Sequence, residues 1–202
     1  MQRLLRHPSV WVRFLALYGL GLGFFILGWV VSYYALPEGI LKGRTGAALL
    51  AGEGASPTVL AEFLRIAGLN LAILFLFVLL PNRMVRVGDY PLGYLPPLAW
   101  SLLYAVTLGT NSFTIPMPER LAPSLSVLGR SGLYEIAAYC LAAVSTHEIA
   151  VSRSPSIFSF HTEPVRPKPD WAKGIHRRGL GTALLLLLAA CAWEAYRIVK
   201  GL

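Results

Sequence analysis

Charged residues are scarce in this sequence. Asp, Glu, Lys and Arg make up 14% of its 202 residues, whereas a soluble domain carries about 25%. A single apolar core does not account for so large a deficit, which argues against a soluble globular protein. The sequence also has only two cysteines, Cys140 and Cys191, and both lie within apolar stretches. They are typical of small buried side chains and do not support a framework of disulfide bonds.

Motifs for catalysis or cofactor binding are missing as well. His147 and Glu148 could begin a zinc-protease motif, but that motif needs a second histidine four residues after the first, and Val151 stands there. The sequence contains no Gly-x-Ser-x-Gly elbow, no phosphate-binding loop and no dinucleotide-binding fingerprint. We therefore expect no catalytic residue, no metal site and no cofactor, and nothing in the sequence argues for an enzyme.

The net charge of +8 does not indicate a nucleic-acid partner. The positive residues lie mostly at the ends of apolar blocks, which is where membrane topology places them. No basic stripe alternates with aromatic residues in the manner of a nucleic-acid interface. We therefore expect no nucleic acid among the partners.

Long uncharged stretches are the dominant feature of the chain. Residues 14–36 and 90–118 contain no charged side chain. About 20 apolar residues cross a bilayer as a helix, and a helix satisfies its own backbone polar groups where no water is present. A membrane β-barrel would instead need many short segments of alternating polarity. The sequence therefore predicts an all-α integral membrane protein surrounded by the lipid bilayer.

The apolar blocks predict one transmembrane domain over residues 1–202 with five helices. Pro96 and Pro97 place the regular start of the third helix near Leu95, because proline is tolerated in a first turn. The apolar part of residues 113–130 is too short to span a membrane. We therefore predict an interfacial or re-entrant segment there. The predicted helices cover residues 10–36, 58–80, 92–110, 132–151 and 179–199, and a basic loop covers residues 152–178.

Lys and Arg are distributed unevenly between the two sides of this predicted bundle. The N-terminus and the loops after the second and fourth helices together hold eleven of them, and the other side holds six. Positive residues concentrate in cytoplasmic loops. We therefore expect a cytoplasmic N-terminus, a cytoplasmic loop 152–178 and a C-terminus on the outer side.

Several charged and polar side chains fall within the predicted helices. A charge in the bilayer costs at least about 2.5–3.5 kcal/mol on insertion scales, so such groups face the bundle and find partners. We predict a polar cluster whose excess negative charge would be balanced by a proton or a cation. Structural support between helices is one interpretation, and a transport role is another. The predicted polar residues are Glu62, Arg65, Asn70, Asn111, Arg130, Gly132, Glu135 and Glu194.

Two glycines in the first helix, Gly19 and Gly23, have the small-xxx-small spacing. This spacing lets another helix approach closely. Glycine is also simply common in membrane helices, so the spacing has an ordinary explanation too. We predict a helix-packing role for Gly19 and Gly23.

Ser131–Ala138 and Leu187–Tyr196 resemble two stretches of the stage II sporulation protein M family, a group of small multi-pass membrane proteins in bacteria and archaea. Ser131–Ala138 is similar to the family's His-Gly-x-x-Glu motif, with Gly132 and Glu135 matching and Ser131 in place of the histidine. Leu187–Tyr196 is similar to its last helix, which ends in small residues, Glu-Ala and an aromatic residue. The helix carrying Asn70 also looks like the family's early helix, and the order and spacing agree over residues 58–202.

This resemblance implies a multi-pass protein of a prokaryotic plasma membrane that binds partners. The namesake of the family anchors a membrane complex with cell-wall-degrading enzymes during engulfment, but the resemblance does not establish sporulation here. Our first hypothesis is a non-catalytic scaffold or anchor subunit that binds other membrane proteins. The alternative is a permease-type component of an ATP-driven transporter, whose basic loop would dock an ATPase. A homo-oligomer is a further expectation for the partners, although recovery of the chain alone as a defined homo-oligomer would weaken both hypotheses.

Overall fold

The computed structural model describes residues 2–44, 54, 56–113, 115, 117–159 and 161–201. Within these residues, five helices of 14 residues or more account for most of the chain. We label them α1 to α5 in chain order. They are α1 (Val10–Ala35), α2 (Val59–Met84), α3 (Leu95–Gly109), α4 (Gly132–Ser145) and α5 (Arg177–Lys200). Shorter helices cover Gln2–Leu5 and Trp171–Gly174, and 3-10 turns cover Leu92–Tyr94 and Leu125–Gly129.

Four of these helices are long and apolar enough to cross a membrane: α1, α2, α3 together with its preceding 3-10 turn, and α5. The expectation of a largely α-helical membrane protein is confirmed at this level. The fourth predicted helix, α4, is not among these four, because it is an apolar helix of only 14 residues and is shorter than predicted. The regular part of α3 begins at Leu95, as the prolines predict.

The second helix is longer than predicted and continues through Pro81 to Met84. Proline has no N–H to donate and disrupts the regular ladder of helix hydrogen bonds. In α2 a π-helical turn at Leu74–Leu79 precedes Pro81. Such a turn changes the hydrogen-bond spacing locally, so the chain passes the proline without ending the helix.

The central element is α4, which has eleven of its fourteen residues buried. It packs against α1, α3, α5 and the π-helical part of α2. Its contact residues are small, including Ala137, Ala138 and Cys140, so neighbouring helices come close. The four long helices bury much less of themselves. The shortest apolar helix is therefore the core around which the others are arranged.

The predicted helix 132–151 ends at Ser145, six residues early, because other parts of the chain satisfy its last carbonyl groups. The last four carbonyls of a helix have no partner within it. Thr146 Oγ1 donates to the carbonyl of Ala142 at 2.9 Å and Asn82 Nδ2 to that of Ala143 at 2.8 Å. Arg13 Nη2 donates to the carbonyl of Val144 at 3.1 Å, and the backbone N–H of His176 donates to that of Ser145 at 2.8 Å.

A small sheet corrects the expectation of an all-α fold. Its strands are β1 (Val85–Val87), β2 (Tyr90–Pro91), β3 (Ser152–Ser154) and β4 (Glu163–Pro164), in the order β2-β1-β3-β4. β1 pairs parallel with β3, with Val85 opposite Ser152, and the two outer pairs are antiparallel. The predicted basic loop 152–178 is therefore tied to the turn that follows α2.

The described residues of the connecting segments form two faces at opposite ends of the bundle. The amino-terminal face comprises residues 2–13, 83–91 and 146–178, where Asp89 pairs with Arg6 at 2.8 Å and with Arg153 at 3.1 Å. The carboxyl-terminal face comprises residues 36–44, 110–131 and 193–201, where Asn111 Nδ2 donates to Glu38 Oε1 at 2.9 Å. The loops group as the charge count predicted, while the cytoplasmic assignment stays a prediction.

The glycines that bring helices together differ from the predicted pair. Among the described residues, no atom beyond the adjoining turns of α1 lies within 4 Å of a Cβ built on Gly19 or Gly23, and both are exposed. A Cβ on Gly21 would instead lie 2.8 Å from Ser101 Oγ, and one on Gly28 would lie 3.1 Å from the Cβ of Ala105. The close approach of α1 to α3 therefore uses glycines on the other side of α1.

Candidate functional site

The first turn of α4 carries a carboxyl group that meets a second one on α5. Glu194 and Ser131 both lie close enough to act electrostatically on the carboxyl group of Glu135. Oε1 of Glu135 is buried and has no donor among the described residues. We call Glu135 and Glu194 the carboxyl pair.

The glycine of the same motif admits an aromatic ring beside this pair. A Cβ on Gly132 would overlap the ring of Tyr104, which belongs to α3. The charges of Glu135 and Glu194 act on that tyrosine. Gly132 therefore lets Tyr104 lie across the start of α4, and the Gly-x-x-Glu spacing has a structural meaning here.

Two arginines lie close to the carboxyl pair. Arg130 precedes α4 and Arg197 lies in the last turn of α5, and both act electrostatically on Tyr104. Arg197 Nη1 donates to the carbonyl of Gly129 at 3.0 Å. Burial, and then the charge of Arg197, lower the pKa of Arg130 from its usual value. The site thus combines two carboxyl groups and two guanidinium groups at the carboxyl-terminal end of the bundle.

A short chain of hydrogen bonds joins three helices next to the pair. The hydroxyl of Tyr139 donates to Asn70 Oδ1 at 2.5 Å, and Asn70 Nδ2 donates to Cys191 Sγ at 3.4 Å. These residues come from α4, α2 and α5. Both carboxyl groups act electrostatically on Tyr139 and Cys191. Asn70 therefore belongs to the surroundings of the carboxyl pair.

The other predicted residues lie in separate groups. Glu62 is buried and forms an ion pair with Arg65 one turn along α2, and it accepts a hydrogen bond from the backbone N–H of Ser56 at 2.8 Å. Asn111 exchanges hydrogen bonds of 2.9 Å with the backbone of Met117. In the described chain, no hydrogen bond or ion pair links Glu62 or Asn111 to the carboxyl pair. The predicted single cluster is therefore divided into three groups.

Arg120 is a residue that sequence reasoning missed. Its guanidinium donates to the carbonyls of Ser32, Tyr33 and Leu36 at the end of α1, and to that of Gly109 at the end of α3, over 2.7–3.1 Å. A cation is favourable at the negative end of a helix dipole. The sequence shows only an arginine in a proline-rich segment, with no pattern that assigns it to two helix ends.

The predicted segment 113–130 is described apart from residues 114 and 116, and it lies across the ends of α1 and α3. Arg120 holds it there, and Trp29 Nε1 donates to the carbonyl of Leu121 at 3.0 Å. The 3-10 turn Leu125–Gly129 then leads into α4, with Val127 buried. The segment therefore closes the carboxyl-terminal face, while its depth in a membrane stays a prediction.

His147 is buried at the amino-terminal face, beyond the end of α4. Its Nδ1 lies 2.8 Å from the hydroxyl of Tyr94. Burial, followed by the charges of Arg13 and Arg86, lowers the pKa of His147 to about 4. The imidazole is therefore neutral at physiological pH. Among the residues that the structure describes, no three His, Cys, Asp or Glu side chains come together as a metal-binding group.

We expect His147 to make stability depend on pH between about 6.5 and 4. An unfolded histidine has a pKa near 6.5, so on acidification the unfolded chain takes up a proton before the folded chain does. The stability from His147 is full above pH 6.5 and is lost as the pH falls toward 4, by about 3 kcal/mol. Thermal unfolding of the wild type and of His147→Gln in detergent measures this loss, which the variant should lack. His161→Gln, at an exposed histidine, should behave as the wild type, and an unchanged slope in His147→Gln would contradict the assignment.

Comparisons with protein-family models, with curated proteins and with solved structures find no match for this chain. The resemblance of residues 58–202 to the stage II sporulation protein M family therefore stays a prediction. The functional argument rests on the geometry of the chain.

Proposed function

We propose that this protein is a non-catalytic, multi-pass scaffold or anchor subunit of a membrane complex in a prokaryotic plasma membrane. In this proposal α4 crosses as a fifth helix. Its 14 residues cover about 21 Å, and the 3-10 turn before it and the turn after it complete the distance. The N-terminus lies in the cytoplasm and the C-terminus outside, in keeping with the positive-inside rule.

The observation that supports this proposal is that α4 is buried by its neighbours and that they also bind its last carbonyl groups. Donors from α1, α2 and the segment before α5 satisfy the last carbonyls of α4. Between that end and the carboxyl pair, α4 presents apolar side chains such as Ile136, Leu141 and Val144, all buried. A central helix that is hydrogen-bonded to its neighbours at its end and packed by apolar side chains along its middle is expected to be rigid, as a scaffold requires. The resemblance to a family of membrane anchors points in the same direction.

The surface offered to a cytoplasmic partner is the amino-terminal face. It holds eleven Lys and Arg residues against four Asp and Glu residues, so +7 of the net charge of +8 lies there. Charge of one sign on one face steers partners of the opposite charge. A scaffold would therefore hold its partner through an acidic surface of that partner.

Purification of the full chain in mild detergent, with quantitative mass spectrometry, tests the proposal. We expect a stoichiometric membrane-protein partner without an ATPase. Lys168→Glu with Lys173→Glu, both exposed on the amino-terminal face, should reduce its recovery at least tenfold. The matched control reverses two exposed lysines of the opposite face, Lys42→Glu with Lys200→Glu, and should retain the partner. Recovery of the chain alone would contradict the scaffold.

The permease-type alternative rests on the carboxyl pair, because acids between apolar helices are typical of ion or proton pathways. A stoichiometric ATPase in the same purification would favour it. Glu135→Gln separates the two functions. A scaffold variant would lose stability or assembly, whereas a transporter variant would assemble normally and lose flux.

A further inference from the structure

The small sheet at the amino-terminal face has two sides of different chemistry. Successive side chains of a strand point to opposite sides of a sheet. In the parallel pair of β1 and β3, Val85 lies opposite Ser152. Val87 lies opposite Ser154, and all four residues line one groove. The alternate positions of the paired strands are occupied by charged residues, namely Arg86, Arg153 and Glu163. One side of the sheet is therefore charged, and the other presents apolar side chains and hydroxyl groups.

The groove over the uncharged side of the sheet has a volume of about 490 Å³. Met84 and Leu92 also line it. Met84 is the last residue of one candidate membrane span, α2, and Leu92 is the first residue of the next one. The groove therefore lies where two membrane-length helices end, which is the level at which a bilayer surface would meet the protein. Its size and mostly apolar lining are typical of a site for a small molecule.

The loop after β3 places two exposed apolar side chains at the groove. The hydroxyl of Ser154 donates to the carbonyls of Ser156 and Ser159 at 2.8 and 3.3 Å, which fixes the loop to the sheet. Ile157 lines the groove and is 53% exposed, and the neighbouring Phe158 is 89% exposed. Exposed apolar side chains that adjoin one another mark a membrane or ligand-binding surface. The groove and this loop thus form a continuous apolar surface beside the ends of α2 and α3.

The protein around the groove is positively charged. The amino-terminal face carries +7 of the net charge of +8. Arg166 and Lys168 follow β4 closely, and both are exposed. Basic residues beside the end of a membrane helix attract the negative headgroups of anionic lipids. An apolar groove next to exposed basic groups therefore matches the two parts of an anionic phospholipid.

We propose that this groove is a binding site for an anionic phospholipid of the surrounding bilayer. One acyl chain of the lipid lies along Val87, Leu92 and Ile157, and its phosphate lies beside Arg166 and Lys168. The bound lipid would cover the apolar side of the sheet and attach the amino-terminal face to the membrane surface. The inference goes beyond the proposed scaffold function and does not depend on it.

Photocrosslinking of the full chain in vesicles of phosphatidylcholine and phosphatidylglycerol tests the site. Two trace lipid probes carry a diazirine near the ester end of one acyl chain, and they differ only in having one or the other of these headgroups. Mass spectrometry compares the label on the groove with the label on Leu76 and Phe77, which are exposed on α2. Relative to that reference, the phosphatidylglycerol probe should label the groove about fivefold more than the phosphatidylcholine probe.

Two variants with matched controls locate the chain and the headgroup. Thr162 is exposed and lines the groove, so Thr162→Trp should fill it and remove the excess label, whereas Val165→Trp, outside the groove lining, should keep it. Arg166→Gln with Lys168→Gln should lower the preference for phosphatidylglycerol by at least about half. Its control, Lys42→Gln with Arg44→Gln, changes two exposed basic residues of the opposite face and should leave the preference unchanged.

Equal labelling of the wild-type groove by the two probes would overturn the proposal, as would excess label that persists in Thr162→Trp. A groove without lipid label that instead crosslinks to a second copy of the chain or to a partner protein would assign it to a protein contact. If Thr162→Trp fails to fold by size-exclusion chromatography, the comparison of the two probes on the wild type decides alone. These measurements use the purified chain without partners, so failure of the lipid site and failure of the scaffold are distinguishable.

Discussion

Replacement of Arg120 by methionine is expected to lower the free energy of unfolding by about 4 kcal/mol. The guanidinium donates to carbonyls at the ends of both α1 and α3. The guanidinium carbon, Cζ, lies 5.1 Å from the centre of the Tyr33 ring. Methionine replaces the apolar stem of the arginine side chain and removes every donor. The carbonyls at two helix ends then lose their partner together with a favourable positive charge.

Unfolding in mixed detergent micelles, monitored by tryptophan fluorescence, measures this loss. Arg120→Lys should recover only part of it, because an ammonium group cannot reproduce the planar fork of arginine. Arg153→Met is the matched control: Arg153 is exposed and has one ionic partner, Asp89, so its loss should stay below about 1 kcal/mol. Equal effects at Arg120 and Arg153 would show that the helix ends do not depend on Arg120.

The second large effect is expected for Asn82→Ala. Asn82 is fully buried where α2 ends, α3 begins and α4 ends. Its amide donates to the Ala143 carbonyl and to Thr146 Oγ1 at 2.7 Å, and its Oδ1 accepts from the backbone N–H of Gly93 at 2.8 Å. Alanine leaves that buried N–H without a partner. The expected loss is about 4 kcal/mol, since an orphaned buried group costs more than the bond itself contributes.

Thermal unfolding in the same detergent, with size-exclusion chromatography to check the oligomeric state, measures the effect of Asn82. Asn70→Ala is the comparison, because that asparagine bonds one hydroxyl and one sulfur, and we expect about 1 kcal/mol. Asn82→Asp should be at least as harmful as alanine. It keeps the acceptor for Gly93 but loses the donor and introduces a buried charge. An Asn82→Ala variant as stable as Asn70→Ala would contradict this role.

The positions of the long helices could be predicted from the sequence because they follow from composition alone. The predicted ranges 10–36 and 179–199 differ from Val10–Ala35 and Arg177–Lys200 by at most two residues at either end. About 20 uncharged residues are enough to cross a bilayer, where no water is present and the backbone must satisfy its own hydrogen bonds. The grouping of loops into two faces followed from the same helices, since each helix carries the chain from one end of the bundle to the other.

The end of α4 and the small sheet could not be predicted in this way. Ile149, Ala150 and Val151 follow Ser145 after only three polar residues, so the apolar pattern extends the predicted helix to residue 151. What stops it is a set of donors from distant positions, including Arg13 and Asn82. Strands of two or three residues are too short to show alternation of polarity, and β1 meets β3 only because α2 and α4 end at the same face.

The sequence by itself determined that the chain forms apolar helices, where the long ones lie and which charges lie at their ends. It also drew attention to Glu135 and Glu194 as acids within apolar stretches. Only the tertiary structure decided which of the polar residues meet. It placed Glu194 close enough to act electrostatically on Glu135, paired Glu62 with Arg65, and placed Arg120 at the ends of α1 and α3. Hydropathy acts along the chain, residue by residue, whereas a partner for a buried polar group is set by which helix faces pack together.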